Sequence, residues 1–357
     1  MNKQNSNKTK SLKGKKNVGR GVFLQRVILE NLSDRQILKK FQLSREAILA
    51  LYQRIRQDLE PLSGRGHSIP GLVKLLAVLY HFAKHSFQAD SGEVGISQAS
   101  FSRCLTQVVR ALTSWAKEFI HLPTDRASWR KLKLDFFQVA GFPKVLGAID
   151  CTHVALRQPT NCEELYRNRK QFHSLNVQVV CDADQRIMSV RAGNPGSFHD
   201  SWIWQESSLA TLFDEGQMPD GWLLGDKGYY NSAHCATRNV IERTFGVLKS
   251  RFLCLDKSGG YLLYPPLKAV DIVLACYILH NVALMHRAPV IRIGDKAPED
   301  DMHPVAEDVD PCDRGPVGKV SLIATHFHVS NVSLSYINTI HRILVVLMSP
   351  YFMSCIF

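Results

Sequence analysis

The nine cysteines include no Cys-x-x-Cys pair. An odd number of scattered thiols suits a reducing compartment, and neither a disulfide framework nor a zinc knot is indicated. The charged amino terminus has no apolar core segment after it, so no signal peptide is expected. After Arg342 the 15 uncharged residues are interrupted by Pro350, fewer than the ~20 that a membrane span needs, and no membrane partner is expected. Acids are missing from residues 1–20, where Lys3, Lys8, Lys10, Lys13, Lys15, Lys16 and Arg20 gather. No internal repeat is visible.

What is present is a chain of 357 residues, 45% hydrophobic, which can bury a core and at ~100–200 residues per domain suggests one large domain plus a smaller one. Its net charge of +12 is uneven: residues 295–313 hold eight acids against Lys296 alone, so the body between arm and tail keeps a basic excess. Such a field favours a polyanion, nucleic acid before membrane. Lys10 to Lys16 reads as a nuclear-import patch or as a solvated arm, and the expected address is the nucleus, with a cytoplasmic pool as the alternative.

Residues 1–22 read as a disordered basic arm. Ser33 with Gln36 makes a capping box ahead of Ile37, Leu38 and Phe41. Ser44 caps a second helix with Ile48, Leu51 and Ile55 on one face, and a third follows through Leu72 to Phe82. The run Gly95 to Arg103 leads into Leu105, Val108, Val109 and Leu112, a pattern that suits a helix-turn-helix or an ordinary helical bundle. Gln98, Ser100, Ser102 and Arg103 near the start of that helix are residue types that reach phosphates and base edges. A helical helix-turn-helix-like domain is thus expected over 23–125.

From Val145 the texture changes. Val145 to Ile149 forms a strand closed by Asp150, with alternation continuing through Val154. Asn176–Cys181 and Ile187–Ala192 give a second and a third strand around a turn at Asp182, and Trp222-Leu223-Leu224 a fourth that ends at Asp226. A helix is expected over Ser201–Phe213, and long helices over 233–252 and 267–286. The domain is therefore α/β.

Carboxylates at strand ends are the chemistry to weigh, because phosphodiester chemistry needs divalent metal held by oxygen. Asp150, Asp200 and Asp226 could converge on one sheet edge. At about 100° per residue Arg238, Glu242 and Lys249 share a helix face within roughly 40°, beside a stripe of Ile241, Phe245, Leu248 and Phe252 that would dock the helix. Read singly, Asp200 is equally a helix cap, Asp226 a turn residue, and Arg238 to Glu242 a solvated i,i+4 pair.

The strings Gly147-Ala148-Ile149-Asp150-Cys151-Thr152-His153-Val154, Asn168-Arg169-Lys170 with His173-Ser174-Leu175-Asn176, Pro195-Gly196-Ser197-Phe198-His199-Asp200 and Leu224-Gly225-Asp226-Lys227-Gly228-Tyr229 resemble the PIF/Harbinger transposases. So does Arg238, three residues, Glu242, six residues, Lys249. Upstream, Ser86-Phe87-Gln88 and Gly95-Ile96-Ser97-Gln98 resemble that family's helical region, and the likeness spans residues 27–286. The resemblance implies an RNase H-like mixed sheet of the DDE superfamily over 140–286, preceded by the helical domain. It implies an acid triad of Asp150, Asp226 and Glu242, with Asp200 as a fourth metal-associated acid. Two Mg²⁺ ions, or Mn²⁺ as substitute, would drive metal-dependent cleavage of DNA. Arg169, Lys170, Arg238 and Lys249 would touch phosphate or orient Glu242. A separate Myb/SANT-like DNA-binding protein is the implied partner, and a homo-oligomer is a further expectation.

Two departures stand out. Here Tyr229 runs straight into Tyr230-Asn231-Ser232-Ala233-His234, whereas the family carries a further stretch that looks like the fifth core strand. Six loop residues still span up to ~20 Å at ~3.3 Å each, so reach is sufficient and packing is the question. The tail at 287–357, acidic and then apolar, matches nothing in the family. The alternative function is therefore a catalytically inactive, domesticated DNA- or partner-binding protein.

Overall fold

Helices begin where a side chain can satisfy the first free backbone N–H groups. Ser33 and Gln36 form the expected capping box at α1 (Asp34–Phe41). Ser44 caps α2 (Arg45–Leu59), and α3 (Gly71–Lys84) follows. Ser97 accepts from the Ser100 N–H at the start of α4 (Gln98–Thr113). A computed structural model describes residues 28–61, 68–85, 94–225 and 232–290, without the side chains of 232–235. Residues 1–297 group into one compact unit and 298–357 into a second, none of whose residues is described. The basic arm, Ser86-Phe87-Gln88, Asp226 with its Lys227-Gly228-Tyr229 sequel, and the tail beyond Val290 lie outside the described residues. So does most of the turn between α3 and α4.

After α5 (Ala116–Phe119) and α6 (Arg126–Ala140) come β1 (Val145–Ala155), α7 (Glu163–Tyr166), β2 (Ser174–Cys181) and β3 (Ile187–Pro195). Then follow α8 (Asp200–Gln205), α9 (Ser208–Asp214), β4 (Trp222–Leu224), α10 (Ser232–Arg251) and α11 (Pro266–Met285). Among the described residues the sheet is mixed, with order β3-β2-β1-β4, antiparallel except for the β1–β4 pair. Asp182 accepts from the Asp184 and Arg186 N–H groups and closes the β2–β3 turn, as its position suggested.

Two expectations are corrected. Asp150 does not close its strand: β1 continues to Ala155 because β2 pairs with it from Ala148 onward. The helix expected over Ser201–Phe213 is two helices, split where Ser207 accepts from the Ala210 N–H at 3.1 Å and starts α9 afresh.

The core lies between sheet and helices. α11 has the length and apolarity of a membrane span, yet most of its residues from Ala269 to Ala283 are buried inside the molecule. It is locked to the sheet through Asn281, whose Oδ1 accepts from the Ile187 N–H while Nδ2 donates to the carbonyls of Ile187 and Phe119. His280 beside it contacts the Gln185 carbonyl at 3.0 Å.

Candidate active site

β1 is flanked differently along its length. Its parallel pairing with β4 ends at Ala148, and the antiparallel pairing with β2 runs from Ala148 to Ala155. Asp150 is therefore half-buried just past the end of the β4 ladder, with Oδ1 accepting from the Cys151 N–H at 2.7 Å. Gly225 lies beside it in the fold, since a Cβ there would stand 3.3 Å from the Ile149 side chain. The next residue in the chain is Asp226.

Strand alternation gives Asp150 the same face as Ala148 and Thr152, with Val177, Val179 and Cys181 opposite on β2. α10 packs on that face. Its buried stripe is Thr237, Val240, Ile241, Thr244 and Leu248, and Thr244 Oγ1 lies 3.5 Å from Cys181 Sγ. Farther along, Lys249 Nζ donates to the His153 carbonyl at 3.3 Å. Helix and strand thus run in the same direction, with Asp150 between the two anchors and Glu242 half a turn ahead of the first. Glu242 projects from the flank of this stripe, half-exposed, and accepts from Arg238 Nη2 at 2.5 Å. Burial pulls the Lys249 ammonium below the usual lysine range; Asp256 opposes this and Lys170 reinforces it.

Asp200 lies elsewhere. It accepts from Asn176 Nδ2 at 2.8 Å, and Asn176 pairs with His153, so this carboxylate belongs to the face of Cys151 and His153, opposite Asp150. It is no helix cap, for it is the first residue of α8 and His199 precedes it at the cap position. Burial raises the Cys151 thiol well above its ordinary range, and Asp200, through charge and hydrogen bond, and then Asp150 add to the rise. Burial lowers the His153 imidazole against the pull of Asp200, with Lys249, Arg169 and Lys170 lowering it further.

Arg169 and Lys170 project into solvent from a turn built by Asn168. Its Oδ1 accepts from the Lys170 N–H at 2.9 Å, and its Nδ2 donates to Ser174 Oγ, which also contacts His153 Nδ1 at 3.0 Å. Gln98, Ser100 and Arg103 lie on α4, which packs on α2, α3 and α11 rather than beside Asp150; Arg103 shares an exposed cleft with Ser102, Thr106, Gln107 and Arg110.

The structure thus brings Asp150, Glu242, Arg238 and Lys249 to one face of the sheet and Asp200 to the other. The sequence reading does not anticipate the Asn168–Ser174–His153 network, whose signal is Ser174, a polar residue that opens the fully buried run Ser174–Cys181. Mg²⁺ and its like take hard oxygen ligands, and the carboxylates of Asp150 and Glu242 are of that kind. Among the described residues no three His, Cys, Asp or Glu side chains converge to hold a metal. Asp226 is not among those residues.

The DDE superfamily endonuclease family matches residues 149–233 and 229–281, two pieces that overlap at 229–233. The protein named "Putative nuclease HARBI1" from Bos taurus is 39% identical over 311 residues, covering 79% of this chain and 89% of the relative. Its namesake from Homo sapiens is 40% identical over 75% of this chain and 83% of the relative. That from Mus musculus is 39% identical over 87% of this chain and 95% of the relative. The 311 aligned positions occupy only 79% of a 357-residue chain, so this chain has fewer residues than its relative over the shared stretch. No solved structure matches.

Proposed function

This chain belongs to the Harbinger transposase-derived nucleases of the DDE endonuclease superfamily, and from that premise we propose that it cleaves DNA phosphodiester bonds with divalent metal held by Asp150, Asp226 and Glu242. The observation that carries the reading is the placement of Asp150 just past the β4 ladder, on the face where α10 lays the flank bearing Glu242 along β1. Their donor chemistry fits a hard cation such as Mg²⁺ or Mn²⁺.

A bound metal would supply an activated water and charge for the leaving oxygen. The protein's own residues do the rest. Arg238 orients the Glu242 carboxylate and yields it to metal at little cost, because that carboxylate is half-exposed. Lys249, fixed to the His153 carbonyl, ties α10 to β1. Arg169 and Lys170, exposed on the Asn168 turn, attract the phosphate backbone without reading sequence. Asp200, held by Asn176 on the opposite face, acts in this reading as a positioning residue rather than a ligand. The DNA-reading role of Gln98, Ser100 and Arg103, a Myb/SANT-like partner, a homo-oligomer and nuclear residence belong to the same proposal, supported by the basic body and arm.

A second reading, a scaffold that holds DNA or a partner without cutting, is favoured by the split of the family match at 229–233 and by the fewer residues of this chain over the stretch shared with its relative. Calorimetric titration of the full chain with Mn²⁺ separates the two. The nuclease reading expects binding that is lost in Asp150→Asn and in Glu242→Gln; absence of binding in the wild-type chain selects the scaffold.

A further inference from the structure

The far end of β1 opens into a cleft that the reaction above does not use. The Ala155 carbonyl accepts from the Leu262 N–H, Arg157 N–H donates to the Leu262 carbonyl, and Leu156 N–H donates to the His173 carbonyl, all within 2.8–2.9 Å. Leu262 is thereby pinned against β1 and fully buried. Its chain neighbours turn outward: Tyr261 is 41% and Leu263 50% exposed. With Phe172, His173, Gln158 and Gln171 they bound a cleft of about 350 Å³. That is the small end of ligand-site volumes, enough for one flat ring and too little for a helix.

The surroundings are basic. Arg157 lines the cleft, the Lys257 ammonium lies 4.3 Å from the centroid of the Phe172 ring, and exposed Arg169 and Lys170 are on the turn that leads into Phe172. Nearby acids are exposed Glu164, Glu163, already bonded by Gln158 and His173, and Asp256, which accepts from Ser258. An exposed aromatic ring among cations, with amide and imidazole groups around it, is the chemistry that takes a base by its face and a strand by its phosphates.

We propose that this cleft binds one unpaired base of a DNA strand, stacked on Tyr261 and packed against Leu263, with exposed Gln171 meeting the base edge while Gln158 and His173 stay bonded to Glu163. The inference rests on the nuclease reading for its substrate class and adds the state of that substrate. Six residues separate Asp150 from Leu156, about 20 Å at about 3.3 Å per residue. That is about six strand spacings of ~3.4 Å, and the exposed Arg169 and Lys170 lie near enough to His153, midway, to lower its imidazole. A duplex keeps its bases stacked inside, so occupancy of the cleft requires a single-stranded or extruded nucleotide.

The test uses the full chain in EDTA, so that no cleavage is needed, and a single strand bearing 2-aminopurine alongside the blunt duplex of the same sequence. Wild type is expected to prefer the single strand and to quench the 2-aminopurine on binding. Tyr261→Ala should weaken single-strand binding about tenfold and abolish quenching, with duplex binding little changed, while Tyr261→Phe retains both. Unchanged single-strand affinity and quenching in Tyr261→Ala, or an equal loss on both DNAs, overturns the proposal. Because metal is absent, failure of the nuclease reading shows only in cleavage and metal titration and leaves this result standing.

Discussion

Replacing Asn281 with leucine should cost this fold more than any surface change. The side chain is 1% exposed and makes three hydrogen bonds, from the Ile187 N–H and to the carbonyls of Ile187 and Phe119, at 2.8–2.9 Å. Leucine matches its size and leaves all three backbone groups buried without a partner. Each orphaned group costs about 1–3 kcal/mol, and two are carbonyls, which tolerate the loss better. We therefore expect about 3–5 kcal/mol, a large share of a typical 5–15 kcal/mol stability. At about 2–4 °C per kcal/mol the midpoint should fall by roughly 6–20 °C. Asn281→Asp separates hydrogen bonding from packing. It keeps the acceptor for the Ile187 N–H but turns a carboxylate toward two carbonyls, so it should be at least as unstable near neutrality and regain stability in acid relative to the leucine variant. Chemical denaturation of the three proteins reads this directly. A leucine variant within about 1 kcal/mol of wild type would refute the claim that Asn281 locks α11 to β3.

His280 should make the fold acid-sensitive. Burial holds its imidazole down to about 4, so below ~6.5 the unfolded chain binds a proton that the folded one refuses, and stability falls as pH drops toward 4. Asp182, pushed up to about 6 by burial, works oppositely across the same range. The comparison must therefore be with His280→Gln, over which wild type should lose about 2–3 kcal/mol between pH 7 and 4.5 in denaturant melts. Gly196→Ala should destabilise by about 1–3 kcal/mol, because the new Cβ would stand 2.3 Å from Ser174 Oγ and 2.7 Å from the Tyr166 carbonyl; Gly193→Ala, with nothing within 4 Å, is the neutral control in thermal melts. Arg238→Gln should change Mn²⁺ affinity by only about two- to threefold, since an i,i+4 pair whose carboxylate is half-exposed is worth about 0.5 kcal/mol. A tenfold change in that titration would show Arg238 to be part of the site itself.

The local signals in the sequence were legible because they act over a few residues: the Ser33 and Ser44 caps, the Asp182 turn, and the α10 stripe that reappears as buried Ile241, Leu248 and Phe252 with Phe245 packed beside them. Family membership was legible from motifs in order. The length of β1 was not, since whether a strand continues past Asp150 depends on β2 arriving alongside. The face of Asp200 was hidden for the same reason. Its partner Asn176 is 24 residues away, and only the register of β2 on β1 tells which side that amide occupies. The break at Ser207 reflects competition between a side-chain cap and helix continuation, which apolar periodicity does not record.

The most direct test of the account is cleavage of supercoiled plasmid by the full chain with Mg²⁺ or Mn²⁺, run beside EDTA and beside Asp150→Asn. The account predicts nicked or linear DNA with metal alone and none with the variant. Cleavage that survives in Asp150→Asn, or intact plasmid with a chain that binds metal normally, would contradict it.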